Sequence, residues 1–217
     1  MPAHVVTIAQ QKGGAGKTTL AAQLAVTFTK AGGKVAVIDI DPQKSLAGWH
    51  GVRCAALGED GGGIHLTEVA GWRLSTELDR LRASYDWIII DSPPHAETDA
   101  KAAIRAADLV LVPVQPSPMD LWAIGPTLEA ARKEKRTALL VLNRMPPRGK
   151  LLDRITAELA ENEATVATTL LGSRVAFAAS MMEGMGVVET HARTAAADEI
   201  RALAKEVSAI LGKPKSR

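Results

Sequence analysis

Residues 11–19 read Gln11-Lys12-Gly13-Gly14-Ala15-Gly16-Lys17-Thr18-Thr19, and glycines closed by a lysine and two hydroxyls suit a polyphosphate. The run follows an apolar, strand-like stretch and precedes a helical one. Glycines let consecutive backbone N–H groups turn toward one anion without Cβ clashes. A helix starting near Lys17 adds the positive end of its dipole. The Lys17 ammonium can reach β- and γ-phosphates, and the Thr18 hydroxyl can ligate Mg²⁺. The common spacing G-x-x-x-x-G-K-[ST] would require glycine at position 11, where Gln11 stands. The first glycines lie instead at 13 and 14, preceded by Lys12.

Such a site also needs carboxylates for a metal and a positioned water. Asp39 and Asp41 follow an apolar run in Asp39-Ile40-Asp41-Pro42-Gln43, and Asp91 ends Trp87-Ile88-Ile89-Ile90-Asp91. In open parallel sheets the ligand crevice borders the carboxyl ends of the strands. Asp39 and Asp41 are two apart and share a face in a regular strand. Aspartate also ends strands as a turn former, so the weight rests on all three lying in register with the loop. Phosphoryl transfer is mostly positioning and charge stabilisation, and it needs no Ser/His/Asp or Cys nucleophile.

The variant K-G-G-x-G-K-T resembles the deviant P-loop of the ParA/MinD ATPases, a family that includes nitrogenase iron protein. The resemblance covers nearly the whole chain. It implies a slow, partner-stimulated ATP hydrolase using ATP and Mg²⁺, which closes as a homodimer with Lys12 of each subunit on the other's ATP. Lys12, Lys17 and Asp41 would then be the catalytic residues, with Asp41 orienting the attacking water. Gly13, Gly14, Ala15, Gly16, Lys17, Thr18 and Thr19 would hold the nucleotide. Thr18, Asp39 and Asp91 would serve the metal, Asp91 as the Walker B carboxylate. The N-K-x-D of common GTPases is replaced by Asn143-Arg144-Met145-Pro146, which favours ATP. The resemblance places Asn143 beside the adenine. The nitrogenase protein needs bridging cysteines and is excluded, because Cys54 is the sole cysteine.

The segment Val112-Pro113-Val114-Gln115-Pro116-Ser117-Pro118-Met119-Asp120 resembles the proline-rich segment of small partition ATPases of the ParF kind. Asp120 is then either a partner contact or the N-cap of the following helix. The chain starts at the P-loop strand, so specific operator binding through an added helix-turn-helix is not expected.

The elements that position these residues follow from periodicity. Strands are expected at 5–9, 34–40, 64–69, 87–90, 109–114, 138–142 and 166–170. Helices are expected at 18–30, 74–83, 98–107, from the proline segment to about 135, at 151–160 and at 194–211. Leu20, Leu24 and Phe28 recur every four residues in the first helix. This alternation gives an α/β fold with a mainly parallel β-sheet flanked by helices. Its resemblance is to P-loop NTPases of the SIMIBI type. Residues 1–211 form a single domain, and 212–217 a flexible basic tail.

Length 217 fits one domain. The formal net charge is only +2, so any nucleic-acid contact must come from a local patch. The lone Cys54 rules out an intrachain disulfide and fits a reducing cytoplasm. No secretory leader pattern and no apolar run of ~18 residues is present.

ParA relatives bind DNA non-specifically when ATP-bound, which requires Lys/Arg contacts to phosphate. Arg174, Arg193, Arg201 and Lys205 are candidate DNA contacts. Residues 129–150 add Arg132, Lys133, Lys135, Arg136, Arg144, Arg148 and Lys150 against Glu129 and Glu134, and the tail adds Lys213, Lys215 and Arg217. Cations also suit helix C-termini without any ligand. Ile200, Leu203, Val207, Ile210 and Leu211 form an apolar stripe that suits core packing better than a MinD-like membrane face. The expected function is segregation or positioning of plasmid or chromosomal DNA by a cytoplasmic, nucleoid-associated ATPase with a ParB-like adaptor. The alternatives are positioning of a protein cargo, a MinD-like membrane-associated ATPase, and an ATP-dependent biosynthetic ligase, which would need a substrate pocket of its own.

Overall fold

The computed structural model describes residues 3–94, 97–146, 155, 157–159 and 165–212. Residues 213–217 of the expected tail lie outside them, as do Arg148, Lys150 and most of the helix expected at 151–160.

The described elements are β1 (His4–Ile8), α1 (Lys17–Lys30), β2 (Val35–Asp39), α2 (Ser45–Leu57), β3 (Ile64–Glu68), a 3-10 turn (Gly71–Arg73), α3 (Leu74–Leu81) and β4 (Trp87–Asp91). They continue with α4 (Glu97–Ala106), β5 (Leu109–Val114), α5 (Pro118–Trp122), α6 (Gly125–Lys133) and β6 (Thr137–Leu142). The last are β7 (Thr165–Val166), α7 (Val175–Met182), α8 (Val187–Thr190) and α9 (Ala195–Leu211). The strands form one seven-stranded sheet in the order β3-β2-β4-β1-β5-β6-β7, and every pairing is parallel.

Parallel strands buried on both faces read as continuous apolar runs, and β4 and β5 are buried at every position. Alternate residues serve opposite faces. Val6, Ile8, Val37, Ile89 and Leu111 pack under α1, α7, α8 and α9 in one core cluster. Val5, Ile38, Ile88 and Ile90 face α3 and α4, while Val110, Val112 and Leu140 face α6 on the same side. Phe28 stacks on Trp87 with ring centroids 4.0 Å apart, fixing α1 to β4. Ile200, Leu203 and Val207 of α9 are buried, so most of the C-terminal stripe is core; Ile210 remains exposed.

Three local outcomes differ from the sequence expectation. The single helix expected after the proline segment is two, α5 and α6. Pro126 opens α6, where its missing N–H costs nothing but where it cannot continue a preceding helix. The expected strand at 166–170 is only two residues long, at the sheet edge. Helices α2, α7 and α8 were not expected. In α2 the buried face is Leu46, Trp49, His50 and Arg53, so two polar residues interrupt its apolar period.

Candidate nucleotide site

The phosphate-binding loop leaves β1 at the centre of the sheet, where the chain turns to β2 on one side and β5 on the other. This is the switch-point crevice of an open α/β sheet. Gly14 and Gly16 take φ +76° and +96°, the left-handed region that side chains rarely adopt. A Cβ at Gly16 would lie 2.5 Å from Asn143 Nδ2. The N-terminus of α1 carries no side-chain cap and no acidic residue in its first turn. Its N–H groups are therefore available to an anion.

Lys17 is buried, and its ammonium donates to the backbone oxygens of Gln10 at 3.1 Å and Lys12 at 3.5 Å. Burial lowers its pKa, against the opposing charges of Asp91 and Asp41. The Thr18 hydroxyl donates to Asp91 Oδ2 at 2.6 Å. Strand register explains the meeting, since Asp91 is level with Ile8 in β1 and with Asp39 in β2. Ser92 Oγ donates to Ile8 O at 2.8 Å and locks these strand ends together.

Asp91 is fully buried, and among the described residues its Oδ1 has no hydrogen-bond partner. Burial, reinforced by Asp39 and Asp41, raises its pKa to about 7 against the Thr18 hydrogen bond and Lys17. A bound divalent cation would restore the ionised form. Among the described residues no group of three or more His, Cys, Asp or Glu could hold a metal. Mg²⁺ does not need one, because it takes one or two protein oxygens and completes its shell with water and phosphate. Thr18 and Asp91 fit that requirement.

Asp39 is placed differently from a direct ligand. Its two oxygens accept backbone N–H groups of Asp41 at 3.0 Å and Ala47 at 3.0 Å. Burial raises its pKa, while those hydrogen bonds oppose the rise. Asp39 thus shapes the turn that delivers Asp41, whose Oδ1 accepts from Gln43 N at 2.9 Å.

Lys12 forms an ion pair with Asp120 of its own chain. The N-cap of α5 is Ser117, which accepts from Asp120 N at 3.2 Å, so Asp120 is not the cap. Its buried side chain holds Lys12 and the Ser117 hydroxyl. Gln115, also unanticipated, donates to Gly14 O at 2.5 Å. The proline-rich segment therefore braces the loop from the β5 side.

Asn143 Nδ2 donates to Ala15 O at 2.9 Å and lines a cavity of about 110 Å³ with Gly16, Thr19 and Phe177. It thus lies beside the phosphate-binding loop. Arg174 lines the same cavity and is held by both oxygens of Glu199, at 2.9 and 3.1 Å from Nε. It is not a free surface cation. Arg201 donates to Ala192 O and Asp198, while Arg193 and Lys205 are exposed. At 100° per residue, Arg201 and Lys205 flank one side of the buried stripe of α9, and Glu199, with Arg174, flanks the other. The four candidate DNA contacts do not form one patch.

Residues 6–187 match the CobQ/CobB/MinD/ParA nucleotide binding domain. The chain is 29% identical over 219 residues to the maintenance of carboxysome distribution protein A of Halothiobacillus neapolitanus, covering 94% of this chain and 96% of that protein. It is 28% identical over 236 residues to the chromosome-partitioning ATPase Soj of Thermus thermophilus, covering 94% and 95%. The fold matches that of a variant of McdA from Cyanothece in complex with ATP at TM-score 0.78, with 20% identity over 100% of this chain and 99% of that one. Among the described residues no helix is long and apolar enough to cross a membrane. With a glycine loop, a buried lysine and a Thr18–Asp91 pair at the switch point, and with residues 6–187 matched, the chain belongs to the CobQ/CobB/MinD/ParA nucleotide-binding domain family.

Proposed function

We propose that this protein is an ATP-hydrolysing switch of the ParA type, dimeric with ATP, that positions a large protein cargo along non-specifically bound DNA. The observation that carries the switch is Lys12, a cation set just before the loop glycines and held by its own chain's Asp120. A lysine needed only for its own subunit's phosphates would point into the loop, as Lys17 does. In the proposed dimer Lys12 leaves Asp120 for the nucleotide of the second subunit.

ATP bound with Mg²⁺ supplies the transferable phosphoryl group and the charge that Thr18 and Asp91 are placed to hold. The loop N–H groups and Lys17 bind the phosphates, Asp41 orients a water, and Asn143 borders the base. The protein cargo is supported by similarity to the carboxysome distribution protein over nearly the whole of both chains. A second reading, DNA segregation with a ParB-like adaptor, is supported by similar coverage of Soj. Both readings use one chemistry.

The test is light scattering of the protein with ATP·Mg²⁺, ADP·Mg²⁺ and no nucleotide, together with phosphate release. A dimer confined to ATP, with hydrolysis lost in Lys12→Ala, is expected. An unchanged monomer in all three states would sink the switch. The cargo is read from what co-purifies with a hydrolysis-deficient Asp41→Ala protein: a protein assembly factor, or a DNA-bound adaptor.

A further inference from the structure

We propose that the outer edge of β3 docks a basic, extended segment of a protein partner, which adds to the sheet as a further strand. β3 ends the sheet, and the parallel ladder fixes which of its backbone groups are spare. In such a ladder every second residue turns both its N–H and its C=O to the same neighbour. The Val69 N–H donates to Asp39 O of β2 at 3.2 Å, so His65 and Thr67 also face β2. Ile64, Leu66 and Glu68 therefore face outward. His50 Nε2 donates to Ile64 O at 2.7 Å and closes the first of these positions. Among the described residues, the outward backbone groups of Leu66 and Glu68 have no partner.

Proteins usually blunt an open edge with a very short strand, a Lys or Pro, or a bulge. β7, at the opposite edge, is two residues long. β3 has five residues, Ile64-His65-Leu66-Thr67-Glu68, with neither Lys nor Pro and an unbroken register on β2. A groove of about 370 Å³ runs beside it. Ile64 and Leu66 line this groove, with His50 and the turn residues Glu59 and Asp60 toward α2. His65 and Tyr85 line it on the other face, stacked with ring centroids 5.5 Å apart.

Charge selects the strand that fits. Glu59 and Asp60 are exposed and have no ion-pair partner among the described residues. No lysine or arginine lines the groove. The charges around it are already matched, Lys44 with Glu68 at 2.8 Å and Arg80 with Glu77 at 2.6 Å. Burial and Arg80 lower the pKa of His65, which adds no charge at pH 7. A second copy of this edge would bring two more unmatched carboxylates to the same groove. A strand with Lys or Arg at alternate positions supplies the missing cations on one face, and its intervening residues cover the ring pair on the other. Backbone bonds to Leu66 and Glu68 would give affinity, and the alternating side chains specificity. The site does not depend on the ATPase reading.

The probe is the blocked peptide acetyl-Lys-Val-Lys-Val-Lys-Val-Lys-amide, titrated into the full ¹⁵N-labelled chain without nucleotide. Two controls accompany it. One is the same peptide with Glu for every Lys. The other is N-methylated at two adjacent central residues, which blocks one N–H on each edge. Saturable shifts of the Leu66 and Glu68 N–H signals are expected, with hydrogen exchange at both slowed at least about tenfold. The acidic and N-methylated peptides should each bind at least about tenfold more weakly, the latter through its lost backbone bonds. Glu59→Gln with Asp60→Asn lies in an exposed turn, should leave the fold intact, and should weaken the basic peptide about fivefold at low salt. No saturable shift overturns the site. Equal binding of the N-methylated peptide means charge attraction without strand addition and overturns it as well. Equal binding of the acidic peptide overturns the basic partner. Slowed exchange at Leu66 that grows with protein concentration, without peptide, would give the edge to a second copy and overturn the proposal.

Discussion

At the scale of single residues, the site divides into groups that hold phosphate and groups that are themselves being held. Lys17 is buried with only two backbone oxygens and nearby carboxylates for company. Lys17→Ala should abolish nucleotide binding in a calorimetric titration without unfolding the chain, and retained micromolar binding would remove it from the role. Asp41→Ala should bind ATP but accumulate as the dimer, and normal phosphate release would show that Asp41 does not orient the water. Asp120 makes a different prediction. In the proposed dimer its buried carboxylate would lose its cation as Lys12 crosses to the second subunit. Asp120→Asn removes that penalty and should shift dimerisation to roughly tenfold lower protein concentration, because one charge-assisted hydrogen bond is worth about 1.5–3 kcal/mol. Weaker dimerisation would mean that Asp120 contacts the partner instead. The loop and the three aspartates were legible in the sequence because phosphate chemistry fixes both residue type and spacing. The Lys12–Asp120 pair was not, since its members lie 108 positions apart and meet only through the order of the strands.

At the scale of elements, strands were easier to read than the helices between them. Continuous apolar runs announced β4 and β5, whereas α2 hid behind His50 and Arg53 on its inner face. The structure shows why a cation is there. Arg53 is 1% exposed and bonds Glu189 twice, at 2.8 and 3.0 Å, and also Gly61 O and Gly184 O. It ties α2 to α8 and to the turn before it. Gly184, at φ +68°, is required there because a Cβ would lie 2.4 Å from Arg53 N. Burial pushes the Glu189 carboxyl up, but Arg53 and the Gly186 N–H outweigh it and hold it below the usual range. Its contribution to stability is then complete above about pH 4.5 and is lost as pH falls through its folded value. Thermal melts from pH 7 to 3 should show this loss in the native protein and not in Glu189→Gln. Glu189→Ala leaves Arg53 buried without its carboxylate and should cost about 3–5 kcal/mol at pH 7. A change under about 1 kcal/mol would show that water replaces the pair.

At the scale of the whole molecule, the question is how a chain of net charge +2 could hold DNA at all. Among the described residues, Arg174, Lys133 and Arg105 are committed to glutamates. Arg201 and Lys205 lie on one side of α9, with Lys30 at the edge of the same depression. Dimerisation doubles whatever patch exists, and phosphate contacts enter log K additively. A switch therefore needs no buried rearrangement to gain DNA affinity; it needs two weak patches on one rigid body. Duplex binding should accordingly be present with ATP·Mg²⁺, weak with ADP, and steeply reduced by salt. Lys205→Ala should lower the ATP-state salt slope by about 2, one phosphate contact from each subunit. Arg174→Ala should leave that slope unchanged. If Arg174→Ala lowers the slope and Lys205→Ala does not, the DNA face lies beside the base pocket. If neither does, the contacts lie away from α9.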